Sequence, residues 1–239
     1  APAGSLTQTS TLNRACATKM RITLAKLQQV LFLAVSRRLL CDAASTASAG
    51  TWTSGSSMDD ARANFGVIAS DSKLFAFGGN DGTSKLKTIE YFDLTTGVWS
   101  HLSKMPEKRD RFGSALSEGK IYAVGGKDSS DNQLSTIVSY DIESDSWTSF
   151  SKTMTSRYNL GAVAVNEVIY AIGGCCSWGA SYSIVEAFDI KTSKWSTHSS
   201  MTTARSSFGI TAIESKIYVV GGVKDSTSTV LSTFETVSY

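Results

Sequence analysis

From residue 65 onward, apolar residues come in short runs of four or five, many alternating with polar ones. Phe65–Ala69 and Phe112–Leu116 each open with an aromatic residue and a glycine. Leu74–Phe77, Ile121–Val124, Ile169–Ile172 and Ile217–Val220 follow, each closed by Gly-Gly. A third type of run ends at Phe92-Asp93, Tyr140-Asp141 and Phe188-Asp189, and a fourth carries a tryptophan. Runs of this length, bounded by turn residues, predict β-strands.

The four runs recur as a unit. Trp52, Trp99, Trp147 and Trp195 are 47, 48 and 48 residues apart. The pairs Gly78-Gly79, Gly125-Gly126, Gly173-Gly174 and Gly221-Gly222 keep the same steps. So do Arg62, Arg109, Arg157 and Arg205, and the single glycines 66, 113, 161 and 209. Each Arg lies ten residues after its Trp and four before its Gly. Four antiparallel strands per unit of this length predict propeller blades arranged around a channel.

A residue needed in every unit serves the unit itself. Gly-Gly ends the second strand where the chain must turn, which calls for φ > 0. Trp offers a large apolar area to the wedge between blades. Asp suits the turn between the third and fourth strands, where its carboxylate accepts backbone N–H groups. The repeated Arg sits in the connection between blades. It could bind an acid, stack on a Trp, or point at a ligand.

The strand-terminal Gly-Gly, the aromatic-Asp pair and the Trp after it resemble kelch repeats. The resemblance covers residues 51–239 and implies an all-β, kelch-type β-propeller. Kelch propellers commonly carry six blades, with five or seven also known, so four repeats imply part of a larger propeller. The first repeat feature, Thr51–Thr53, is a fourth-strand signal, and the last, near Tyr239, is a third-strand signal. One alternative is that the leading strand completes the last blade and closes a four-blade ring. Otherwise open edges are left for further blades or a second chain to cover.

Residues 1–49 differ from the rest. The first 50 residues hold six bases and one acid, Asp42, with a helical rhythm at Leu24, Leu27, Leu31 and Ala34. A secretory signal starting at Met20 with cleavage near Ala47-Ser48-Ala49, an organelle transit peptide, and a disordered extension all fit. Location is accordingly open between secreted, organellar and cytoplasmic. Over the whole chain, 23 Lys+Arg against 21 Asp+Glu leave a charge of +2, which argues against a nucleic-acid partner. No apolar run reaches the ~18 residues of a membrane span. Two histidines and four cysteines leave little material for metal chemistry, and adjacent Cys175-Cys176 lacks zinc spacing. Neither a metal nor a cofactor is expected.

In an up-and-down blade, the second-to-third and fourth-to-first loops share one face. Here those are the longer loops: 80–88, 127–136, 175–184 and 223–233, with 54–64, 100–111, 148–159 and 196–207. Variation belongs where it leaves the scaffold intact. Within that face Trp178 stands off the repeat register, with Tyr182 close by, and Lys108-Arg109-Asp110-Arg111 forms a basic cluster suited to an acidic peptide. Asp59-Asp60 is a third departure. The expected function is non-catalytic binding of a protein partner, with Arg109, Arg111, Arg157, Tyr158, Trp178 and Tyr182 as contacts. No residue is assigned a catalytic role. The alternative is a carbohydrate-active propeller enzyme resembling sialic-acid mutarotases, with Arg and carboxylates at the channel mouth.

Overall fold

A computed structural model describes residues 50–150, 155–176, 179–224 and 229–239. Two units separate at residues 53 and 54, and the second, Ser54–Tyr239, holds the repeats. Its first blade comprises Gly66–Ser70 (β1), Lys73–Phe77 (β2), Ile89–Asp93 (β3) and Val98–His101 (β4). The second comprises Gly113–Ser117 (β5), Lys120–Val124 (β6), Ile137–Asp141 (β7) and Ser146–Ser149 (β8). The third comprises Gly161–Val165 (β9), Val168–Ile172 (β10), Val185–Asp189 (β11) and Lys194–His198 (β12). In the fourth, Gly209–Ile213 (β13) and Lys216–Val220 (β14) precede a small hairpin, Val223–Lys224 (β15) and Thr229–Val230 (β16). Phe234–Ser238 (β17) then pairs with β14.

Every pairing is antiparallel, and each blade follows chain order. Among the described residues, three blades have four strands and the last has three. Consecutive blades pack through their first strands, β1 on β5, β5 on β9 and β9 on β13, as a four-blade propeller.

The middle strands of the blades are apolar on both faces, as in β6 and β10 with four consecutive buried residues each, so the core lies between blades. Phe75, Phe77 and Ile89 of the first blade meet Ile121, Ala123, Val138 and Tyr140 of the second. Tyr122, Val124 and Ile137 meet Leu160, Ala162, Ile169 and Phe188. Tyr170, Ile172 and Val185 meet Ile217 and Val219. The outward face of the last blade continues this pattern uncovered. Phe234 occupies the register of Ile89 and Ile137, yet it is 56% exposed where those two are 0%.

The repeated residues take the roles their chemistry allows. All eight glycines of the Gly-Gly pairs have positive φ. Trp99, Trp147 and Trp195 lie opposite Phe92, Tyr140 and Phe188, with ring centroids 5.1 to 5.4 Å apart. Trp147 and Trp195 pack against the inter-blade clusters. Trp52 departs from the expectation. Residues 51–53 form no strand, and the Trp52 side chain is fully exposed.

The turn aspartates act as caps. Asp93 Oδ1 accepts from the N–H groups of Thr95 and Thr96 at 2.7 and 3.1 Å, and Asp141 Oδ1 from those of Glu143 and Ser144 at 3.1 and 3.0 Å. The Lys120 ammonium, with the Ser144 N–H next, holds the Asp141 carboxyl down at about 2. The N–H of Thr96 and that of Thr192 hold Asp93 and Asp189 low. A carboxyl depressed in the folded state stabilises above its unfolded value, and this stabilisation is lost as pH falls through the folded one. The melting midpoint is therefore expected to drop between about pH 4 and 2, less steeply in Asp141→Asn. An unchanged slope in that variant would remove this turn from the acid response.

Candidate interaction surface

The four repeated arginines face inward. The side chains of Arg62, Arg109, Arg157 and Arg205 are fully buried. Nη1 of each donates to the carbonyl of the first glycine of its blade's pair: Gly78 at 3.0 Å, Gly125 at 3.2 Å, Gly173 at 3.0 Å and Gly221 at 2.8 Å. Nη2 meets a carboxylate, namely Glu90, Glu107, Glu186 or Glu235. In the first, third and fourth blades the guanidinium thus ties the Gly-Gly turn to a third-strand carboxylate, while in the second it pairs with the partly exposed Glu107 of the connection. Burial pushes Arg157 down to about 10, against the opposing pull of Glu186.

Arg109 and Arg157, expected on the loop face, are therefore internal. Their place in a connection was legible, but the direction of their side chains was not. Glu90, Glu186 and Glu235 were not singled out at all. The signal was an acid recurring within an otherwise apolar third strand. In the second blade Val138 takes that strand position, and Glu107, two residues before Arg109, supplies the charge instead.

Around the axis runs a second set of contacts. The residue after each Arg bridges the residue after each Gly-Gly: Ala63 with Asn80, Asp110 with Lys127, Tyr158 with Cys175, and Ser206 with Val223. The next residue in each blade, Asn64, Arg111, Asn159 or Ser207, has φ between 51° and 54°. Its N–H donates to the carbonyl of its counterpart one blade back. The links are Arg111 to Asn64 at 3.0 Å, Asn159 to Arg111 at 2.8 Å and Ser207 to Asn159 at 3.0 Å. A backbone relay therefore joins the blades at the mouth of the channel.

The side chains at this mouth differ from blade to blade. Arg111 is exposed, with its Nε 3.9 Å from Asp110 Oδ2, which also accepts from Asn80 Nδ2 at 3.0 Å. The Lys127 ammonium lies 4.4 Å above the Tyr158 ring, a cation–π contact. A hydrogen bond with Cys175, with burial second, pushes the Tyr158 phenol up to about 12. Burial raises Tyr182, and Cys176 adds to it. Cys175 is buried, and no disulfide joins it to Cys176. Tyr158, Tyr182 and Arg111 are thus gathered around the second and third blades. Lys108 is exposed, so the basic cluster divides into two outward residues (Lys108, Arg111) and two inward ones (Arg109, Asp110). Trp178 lies outside the described residues.

No individually curated protein sequence matches the chain. Among the described residues, no helix is long and apolar enough to cross a membrane. The KLHDC2/KLHL20/DRC7 Kelch-repeats domain profile matches residues 39–228. Together with the blade topology and the fourfold Gly-Gly, Arg and Trp framework, that match places the chain in the kelch-repeat family.

Proposed function

We propose that the protein binds a partner protein at the channel mouth of its long-loop face, through Arg111, Tyr158 and Tyr182 with Lys108 and Lys127 around them. One observation carries the reading. The repeated arginines are consumed as internal braces, while side chains that differ between blades gather at the mouth, Arg111 on the backbone relay and Tyr158 and Lys127 beside it. Basic and aromatic groups together suit an acidic segment of the partner.

A photo-crosslinking residue placed at Arg111 or Ser207 tests it, with Ser144, in a short turn of the opposite face, as the control. Crosslinked partner is expected from the mouth positions alone. Its capture should weaken at least tenfold in Arg111→Ala/Tyr158→Ala and fall with added salt. Equal crosslinking from both faces, or capture indifferent to the double substitution, would overturn the assignment.

A further inference from the structure

The first blade departs from the repeat at three positions, and all three meet. In the third and fourth blades the brace holds one arginine and one glutamate. Thr155 caps Glu186 through its N–H and hydroxyl, and Thr202 with the Thr203 N–H caps Glu235. In the first blade the corresponding caps of Glu90 are the N–H groups of Asp59 and Asp60, at 2.8 and 3.3 Å. Two extra carboxylates therefore stand beside a single guanidinium. Asp60 is taken up by Arg62 at 3.3 Å and by the Thr88 hydroxyl at 2.5 Å. Asp59 is left to His101, whose Nε2 lies 2.8 Å from its Oδ2. His101 in turn sits opposite Glu90 in the β3–β4 register, where the second and third blades place Ser149 opposite Val138 and Thr197 opposite Glu186.

We propose that Asp59, Glu90 and His101 form a site for a divalent metal ion of the zinc type, separate from the channel mouth. One ligand atom from each lies within 4.8 Å of the others. Two carboxylates and an imidazole are a mixed oxygen–nitrogen set, which suits zinc at about 2.0–2.2 Å per bond and leaves a fourth position open. Glu90 is fully buried and fixed by Arg62, so it anchors the site. Asp59 and His101 are 67% and 52% exposed and can rotate to close on the ion. Arg62, Asp59, Asp60 and Glu90 together sum to −2, which a dication cancels. The other braces, each one cation to one anion, have no such surplus.

Zinc alone is the probe, added to the full chain and followed by the ring resonances of its two histidines. The His101 signals are expected to shift saturably with one equivalent, while those of His198, packed edge-on against the stacked rings of Tyr170 and Tyr239, stay in place. His101→Thr installs what the third blade holds at that place (Thr197) and Asp59→Thr what the fourth holds (Thr202), so both should fold. Each should weaken binding at least tenfold. The proposal is overturned by zinc that moves neither ring, that moves both alike, or that binds Asp59→Thr as tightly as the parent. None of these outcomes touches partner capture at the mouth, which is assayed separately.

Discussion

Arg157→Ala is expected to lower the unfolding free energy by about 3–5 kcal/mol, because it strands the Glu186 carboxylate in the interior. The same substitution removes the donors to the carbonyls of Gly173, Ile184 and Ala171, so the turn loses its internal tie as well. Denaturant titration measures it, with Arg111→Ala as the control. Arg111 is exposed, and its side chain makes only a long contact to Asp110, so its loss should stay within about 0.5 kcal/mol. The double variant Arg157→Met/Glu186→Leu should recover part of the loss, since it abolishes the unpaired charge. Recovery stays partial because the three carbonyls remain unserved. A cost below about 1 kcal/mol for Arg157→Ala would mean that the brace contributes little.

Gly126→Ala should cost about 2–5 kcal/mol, and it separates two kinds of strain. Its φ is +96°, and an added Cβ would lie 2.5 Å from the Asp110 carbonyl oxygen and 2.9 Å from Phe112 Cβ. Gly119 also has positive φ, +68°, but open space surrounds its missing side chain. Gly119→Ala then bears the backbone penalty alone, about 1–2 kcal/mol. Gly126→Ala adds a collision with the segment that leads into the first strand of its own blade, worth about 1–3 kcal/mol more. Thermal or denaturant unfolding of the pair gives the difference directly. Equal losses at the two positions would show that the turn conformation, and not the close approach of Asp110 and Phe112, sets the requirement for glycine.

The sequence states the scaffold plainly and the surface poorly, for physical reasons. Strand edges could be read because alternation and turn residues act over a few positions, and the expected second and third strands agree with β2, β3, β6 and β7 to within a residue or two. The register of Trp147 opposite Tyr140 follows from the same local rules. What could not be read depends on contacts between distant segments. Arg109 lies in a surface connection by chain position, yet its side chain turns under the Gly125 carbonyl. The exchange of Val138 for Glu107 as the acidic partner of Arg109 preserves charge in space while erasing the pattern in sequence. In the sequence His101 is marked only by its place two residues after Trp99; its approach to Asp59, 42 positions earlier, needs the fold.

The relay from Asn64 to Ser207 carries one more implication. Its bonds are made wholly by main-chain atoms, so the identity of each side chain there is irrelevant to whether the blades stay joined. The only filter is the left-handed backbone, which disfavours branching at Cβ and admits asparagine, serine or a long straight chain such as arginine. The hub therefore works as a socket of constant geometry and interchangeable contents. Under the proposed function, a change of partner would need substitutions at these four positions only, one residue at a time, with the wheel around them left undisturbed.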